Sequence, residues 1–201
     1  MDDLFVYDDI VSPDYQDFLE NIFVKQAGMH WFIVPDLNSP PDVANLGGIA
    51  CFVDTVADER KAYGLVRQPI TKGIDSDPVL ATLLKSFVYA VTDRIDVKVT
   101  KINAARAFMQ LPWDGPEQSK FHVDDIEPHM VLLYYINDAD GDTVLSNRRY
   151  VSGEQYHGVD AEILKRVSPK KGRAILFDGS IYHAASIPRK GLRCVLNFNL
   201  Q

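Results

Sequence analysis

The chain has 201 residues, of which 46% are hydrophobic and 24% charged, with a formal net charge of −7 at pH 7. This suits one globular domain with a sizeable core. No apolar run is long enough to span a bilayer, and the opening MDDLFVYDDIVSP lacks the basic and apolar regions of a secretory leader. The two cysteines, Cys51 and Cys194, sit in apolar contexts and read as buried thiols, not as a disulfide framework or a zinc ribbon. A soluble protein of a reducing compartment, the cytoplasm, is the expectation. Charge is unevenly spread, with twelve Asp/Glu against two Lys/Arg in the first sixty residues and ten Lys/Arg against five Asp/Glu from Gly141 onward. Two solvated faces of opposite sign are the expected outcome. A basic patch for an anionic partner such as a nucleic acid is the alternative.

In chain order, the first element is a helix in SPDYQDFLENIFVK, with Ser12 as N-cap and Pro13 at the first helical position. Tyr15, Phe18, Leu19, Ile22 and Phe23 recur at helical spacing. VPDLNSPPDVANLGG is rich in Pro, Asn, Asp and Gly and reads as an irregular loop. A second helix is expected in SDPVLATLLKSFVYAVTDRI, capped by Ser76 or Asp77, with Val79, Leu80, Leu83, Leu84, Phe87, Val88 and Val91 on its apolar face. After Ile95 the texture changes to short β-type runs, VKVTKINAARAFMQ, HMVLLYYIN, DTVLSN, YVSG, GRAILFDG, YHAASIP and RCVLNFNL. Turn residues separate them, which suggests a sandwich or barrel-like roll over alternating βαβ units. The plan is mainly β, with residues 1–96 helical and loop-like outside and 97–201 forming a double sheet.

The chemistry concentrates in SKFHVDDIEPHMVLLYYIND. In a strand, His122 and Asp124 project to one side, whereas Asp125 points away. A third metal ligand must come from elsewhere, and the candidate is His183, at the end of FDGSIYH. Two imidazoles and one carboxylate make the facial triad of non-haem Fe(II) sites, which leaves three adjacent positions open. Ten residues on, Arg193 opens a strand in which Arg193, Val195, Asn197 and Asn199 share a face. A guanidinium fixed on a sheet suits a carboxylate, such as the distal one of 2-oxoglutarate.

The ordered set His122-x-Asp124, His183 and Arg193 resembles the 2-oxoglutarate/Fe(II)-dependent dioxygenases, specifically their prolyl-4-hydroxylase-like branch. LLYYIND is similar to that branch's YYLN strand, SPKKGRAILFDGSIYH to its strand before the second histidine, and RCVLNFN to small single-domain bacterial or viral members. The resemblance covers roughly the C-terminal half, from TKINAARAF to LNFNL. It implies a double-stranded β-helix (jelly-roll) core with N-terminal helices packed outside. It implies Fe(II) on His122, Asp124 and His183, the distal carboxylate of 2-oxoglutarate on Arg193, and a tyrosine hydroxyl from Tyr135 sharing that carboxylate. With O2, such an enzyme releases succinate and CO2 and hydroxylates a C–H bond; halogenating relatives typically lack the acidic ligand, which Asp124 supplies here. Where the family often has a tyrosine on the strand before HxD, this chain has Phe108 and Arg106, with Asn103 or Arg106 as substitutes.

Other polar residues have plainer readings. Asp125 is expected to turn the chain, His129 to begin the next strand away from the metal, and His157 to lie on an exposed loop or at the substrate mouth. His30 adjoins Trp31 in core or rim. The substrate, a small molecule or a peptide, is left to loops such as MQLPWDGPEQSK and SNRRYVSGEQYHG. A non-catalytic jelly-roll binding module and a cupin-type metal enzyme are the competing classes.

Overall fold

The computed structural model describes residues 4–25, 31–34, 47–54, 78–112 and 114–201. The expectations for His30, the Ser76 or Asp77 cap, the Cys51 thiol and most of the loop at 34–48 fall outside those residues. The described residues form strands β1 (Leu4–Tyr7), β2 (Phe32–Val34), β3 (Gly47–Asp54), β4 (Ile102–Gln110), β5 (Phe121–His122) and β6 (Met130–Tyr135). They continue with β7 (Thr143–Arg149), β8 (His157–Val159), β9 (Ile163–Val167), β10 (Ala174–Asp178), β11 (Ile181–Ala185) and β12 (Arg193–Leu200). Helices α1 (Pro13–Glu20) and α2 (Pro78–Arg94) accompany them.

The strands make two antiparallel sheets, a large one in the order β1-β10-β6-β12-β4-β3-β2 and a small one in the order β8-β5-β11-β7-β9. The fold is mainly β, two facing sheets with few helices, as a double-stranded β-helix requires.

Side-chain alternation sorts the large sheet into two faces. Leu132 and Tyr134 of β6, Ala174 and Leu176 of β10, Ala105 and Ala107 of β4, and Cys194, Leu196 and Phe198 of β12 join the core beneath the helices. Their neighbours Val131, Leu133, Tyr135, Ile175, Phe177 and Val195 point into the space between the sheets. A face buried on both sides explains why β12 is buried along its whole length. Phe87 of α2 anchors the outer layer, stacked on Tyr15 at 6.0 Å and edge-on to Tyr134 at 5.0 Å.

Ser12 caps α1 as expected, accepting from the Tyr15 N–H at 3.4 Å, with Pro13 at the first position. The helix proper is shorter than its periodicity implies and passes into a π-helical turn at Asn21–Lys25. Phe18 and Val79, both assigned to apolar faces, are 42% and 76% exposed, because the sheet covers a narrower stripe than the sequence offers. YVSG forms a turn and not a strand. Conversely, the N-terminal part contributes β1, β2 and β3 to the large sheet, and β8 and β9 complete the small one. β9 reads as ILKRV because it is an exposed edge strand, where charged side chains block further pairing.

The acidic and basic halves do not form separate faces throughout. β1 pairs with β10, and next to it Asp8 bonds Arg173 at 2.6 Å and Lys170 at 3.0 Å. Lys171 bonds Asp17 and, at 2.6 Å, Glu20 of α1. The Arg173 guanidinium leads in pulling the Asp8 carboxyl down to about 2. Arg149 pairs with Asp178, Arg148 with Glu154 and Arg166 with Glu117. These pairs neutralise part of the basic runs among the described residues. Among the described residues, no helix is long and apolar enough to cross a membrane.

Candidate metal centre

β5 and β11 are antiparallel neighbours, and their register sets His122 directly opposite His183. The two rings lie 4.6 Å apart between centroids. β5 ends at His122, so Asp124 lies in the bend that follows and not on the strand itself. It reaches the histidines all the same, with Oδ1 3.8 Å from His122 Nε2 and Oδ2 3.8 Å from His183 Nε2. One ligand atom from each of the three lies within 4.8 Å of the others.

The tautomers follow from the hydrogen bonds. His122 Nδ1 meets the Lys120 carbonyl at 3.1 Å, and His183 Nδ1 meets the Ile181 carbonyl at 3.0 Å. A carbonyl only accepts, so Nδ1 carries a proton in both rings and both Nε2 atoms are turned toward Asp124. Asn197, from the opposite sheet, donates Nδ2–H to Asp124 Oδ2 at 3.0 Å and orients the carboxylate. Phe177 packs edge-on to His183 at 5.2 Å.

Burial and charge separate the two histidines. Burial, reinforced by the His183 charge, lowers His122 to about 4. Burial acts in the same sense on His183, but the Asp124 carboxylate outweighs it and raises that imidazole above its ordinary value. Burial alone would raise Asp124; attraction to His183, His122 and Arg106 holds its carboxyl well below the usual range. Two imidazoles and one ionised carboxylate converging in this way are a donor set that would suit a divalent metal of the iron type, which the imidazoles would bind in their neutral form.

The triad opens into a cleft of about 500 Å³, counting its mouth, between the two sheets. Phe108 and Gln110 of β4, Leu133 of β6, Thr143 of β7 and Arg193, Val195 and Asn197 of β12 share its walls. Arg193 is 4% exposed. Its Nη1 donates to Gln110 Oε1 at 2.6 Å and its Nη2 to Thr143 Oγ1 at 2.8 Å, while its Nε has no partner. Gly141 makes room for this arginine, since a Cβ there would stand 2.8 Å from the Ser186 carbonyl and 3.1 Å from Arg193 Cδ. A buried, oriented guanidinium with donors to spare suits the distal carboxylate of a short dianion.

Tyr135 lies behind this arrangement. It is buried, its ring lies 5.6 Å from the Arg193 guanidinium carbon, and its hydroxyl donates to Thr143 Oγ1 at 2.7 Å. It is not among the cleft-lining residues, and it bears on the arginine both directly and through Thr143. Gln110 and Thr143 are partners that sequence reasoning missed. Asn197 was legible as lying on the face of Arg193, but its bond to Asp124 was not.

Asp125 turns the chain, accepting from the Glu127 N–H at 3.2 Å. His129 is buried away from the triad, with Nδ1 2.7 Å from the Glu127 carbonyl, beside a second cleft. His157 is not on an exposed loop. It lies half-buried on β8 opposite His122, with ring centroids 5.7 Å apart. Asn103 is buried and absent from the cleft wall, whereas Phe108 lines it.

No family model matches the sequence, and no curated protein matches it. Solved structures do match over nearly the whole chain. A prolyl hydroxylase from Trichoplax adhaerens, solved with a hypoxia inducible factor oxygen degradation domain peptide, aligns with a TM-score of 0.56 at 12% identity, over 100% of this chain and 84% of its own. A prolyl-4-hydroxylase from Pseudomonas putida gives 0.51 at 11%, over 99% and 92%. A non-heme alpha ketoglutarate dependent carbocyclase of nogalamycin biosynthesis gives 0.64 at 9%, over 98% and 78%. The fold is that of the 2-oxoglutarate/Fe(II) oxygenases.

Proposed function

We propose that this protein is an Fe(II)- and 2-oxoglutarate-dependent dioxygenase that hydroxylates a C–H bond of its substrate. The observation that carries the reading is the convergence of His122, Asp124 and His183 in one cleft with the buried Arg193. The fold supports the same reaction class. Fold alone does not fix the outcome, because the neighbours include, by description, a carbocyclase and an epimerase.

His122 and His183 would ligate iron through Nε2 and Asp124 through its carboxylate, with both Nδ1–H groups held by backbone carbonyls. Arg193, set by Gln110 and Thr143, would hold the distal carboxylate of 2-oxoglutarate, and Tyr135 would brace Thr143. When bound, iron and 2-oxoglutarate supply the dioxygen chemistry, in which the oxo acid becomes succinate and CO2 as the substrate is oxidised. The chain's own contribution is positional. Phe108, Leu133 and Val195 give the cleft an apolar wall that limits water, and Asn197 fixes the carboxylate ligand. The substrate is a small molecule or a peptide, and the prolyl hydroxylase solved with a peptide gives the peptide option a precedent in the fold.

Anaerobic titration of Fe(II) with and without 2-oxoglutarate tests the reading. A weak visible charge-transfer band is expected in the native protein, absent in His183→Ala and weakened in Arg193→Ala. A folded, metal-loaded protein with no band would turn the interpretation to a cupin-type metal site; one that binds no metal would turn it to a non-catalytic jelly-roll.

A further inference from the structure

Arg106 is 7% exposed, and its Nη2 is buried without a hydrogen-bond partner. It lies two residues before Phe108 and four before Gln110 on β4, so it shares their inward face, and it is directly opposite Asn197 of β12. Asn197 is the residue that orients Asp124, and its Oδ1 also lacks a partner. Arg106 is not itself part of the cleft wall; its register sets it beside Asn197, which lines the metal end, whereas Arg193 lines the far end. Its charge acts on Asp124, yet it makes no ion pair among the described residues.

The charge balance of the loaded cleft gives this arrangement a meaning that rests on the dioxygenase reading. Among the described residues facing the cleft, Asp124 and Arg193 cancel. A divalent metal and dianionic 2-oxoglutarate cancel likewise. Arg106 then remains as one uncompensated positive charge in a low-dielectric space, an expensive state unless an anion joins it. A guanidinium with unused N–H groups is shaped for a planar oxyanion.

We propose that the substrate carries a carboxylate, and that Arg106 binds it beside the metal. The expected substrates are small carboxylic acids such as α-amino or α-hydroxy acids, with the carboxylate acting as the handle and a neighbouring carbon as the oxidised position. Arg106 is then the specificity-determining residue of the cleft, separate from the co-substrate's Arg193.

The test uses Zn(II)-substituted, 2-oxoglutarate-loaded protein and ligand-observed NMR. The probes are the twenty free L-amino acids and a set of short hydroxy acids, each compared with its primary amide. At least one acid is expected to bind tenfold to hundredfold more tightly than its amide, the loss of one charge-assisted hydrogen bond. Arg106→Gln should abolish that preference and leave 2-oxoglutarate affinity within twofold. The acid–amide comparison in the native protein needs no variant to fold. No binding by any acid, or equal binding of acid and amide, overturns the proposal. A tenfold loss of 2-oxoglutarate affinity in Arg106→Gln also overturns it, by assigning Arg106 to the co-substrate. If the native protein fails to bind 2-oxoglutarate with metal, the dioxygenase reading falls first and this one with it.

Discussion

Replacing Thr143 by Val tests whether the arginine end of the cleft is built as described. The side chains are nearly equal in volume, so the substitution removes a hydroxyl and little else. Thr143 Oγ1 accepts from Arg193 Nη2 at 2.8 Å and from the Tyr135 hydroxyl at 2.7 Å, and the residue is buried. Losing a charged hydrogen bond costs about 1.5–3 kcal/mol and a neutral one about 0.5–1.5 kcal/mol. Tyr135 keeps the Val167 carbonyl at 3.5 Å as a poor alternative, so the total loss is about 2–4 kcal/mol. For a chain of this length that lowers the thermal midpoint by roughly 5–15 °C. Urea unfolding followed by circular dichroism measures the free energy, and calorimetry measures 2-oxoglutarate binding in the Zn(II) form. Thr143→Ser, which retains the hydroxyl, should restore most of both. A Thr143→Val protein as stable as the native one, with unchanged co-substrate affinity, would refute the shared role of this hydroxyl.

Three further outcomes are expected. Asn197→Ala frees Asp124 Oδ2 and should weaken metal binding about tenfold to hundredfold, read by chelator competition, with a much smaller effect on 2-oxoglutarate affinity measured at saturating metal. Gly179→Ala places a Cβ 2.3 Å from Nε2 of the buried His129 ring, which must shift, and should cost about 1–3 kcal/mol in urea unfolding; Gly191→Ala, with open space around it, should be near neutral. Metal affinity should also fall in acid, in two stages. Ligation needs neutral imidazoles, and His183 takes up its proton above the ordinary histidine value of 6.5, so the loss begins above pH 6.5 and grows about tenfold per pH unit below its raised pKa. His122 adds a second proton only near pH 4, and a single-step profile centred on pH 4 would contradict the assigned charge pattern.

The cluster of His122, Asp124 and His183 was legible as a candidate metal site because its spacing survives without the fold. His122 and Asp124 lie close in sequence, and Arg193 follows His183 by ten residues, across the connection that passes from the small sheet to the large one. β12 was legible because period-two alternation holds along its whole length. Other parts depend on contacts between distant segments. Thr143 and Gln110 meet Arg193 only because β7 faces β12 across the cleft and β4 pairs with β12. β1 is four residues long and is extended by its pairing with β10, which no local pattern announces. β9 hid its strand character behind the charged residues that suit a sheet edge. His157 looked like a loop residue because its strand is only three residues long and rests on pairing with β5.

The position of β12 bears on how the chain can be assembled. It follows every other strand in the sequence, yet it occupies the middle of the large sheet, between β6 and β4. As the ribosome extends the polypeptide, β10-β6 and β4-β3 can each pair as separate ribbons, but both expose an apolar inner edge until residues 193–200 arrive. The strand that joins them also carries Arg193 and Asn197, so the ligand cleft and the closed sheet come into being in one step. A nascent chain stopped before Arg193 presents two open templates for strand addition and is a natural client for a chaperone.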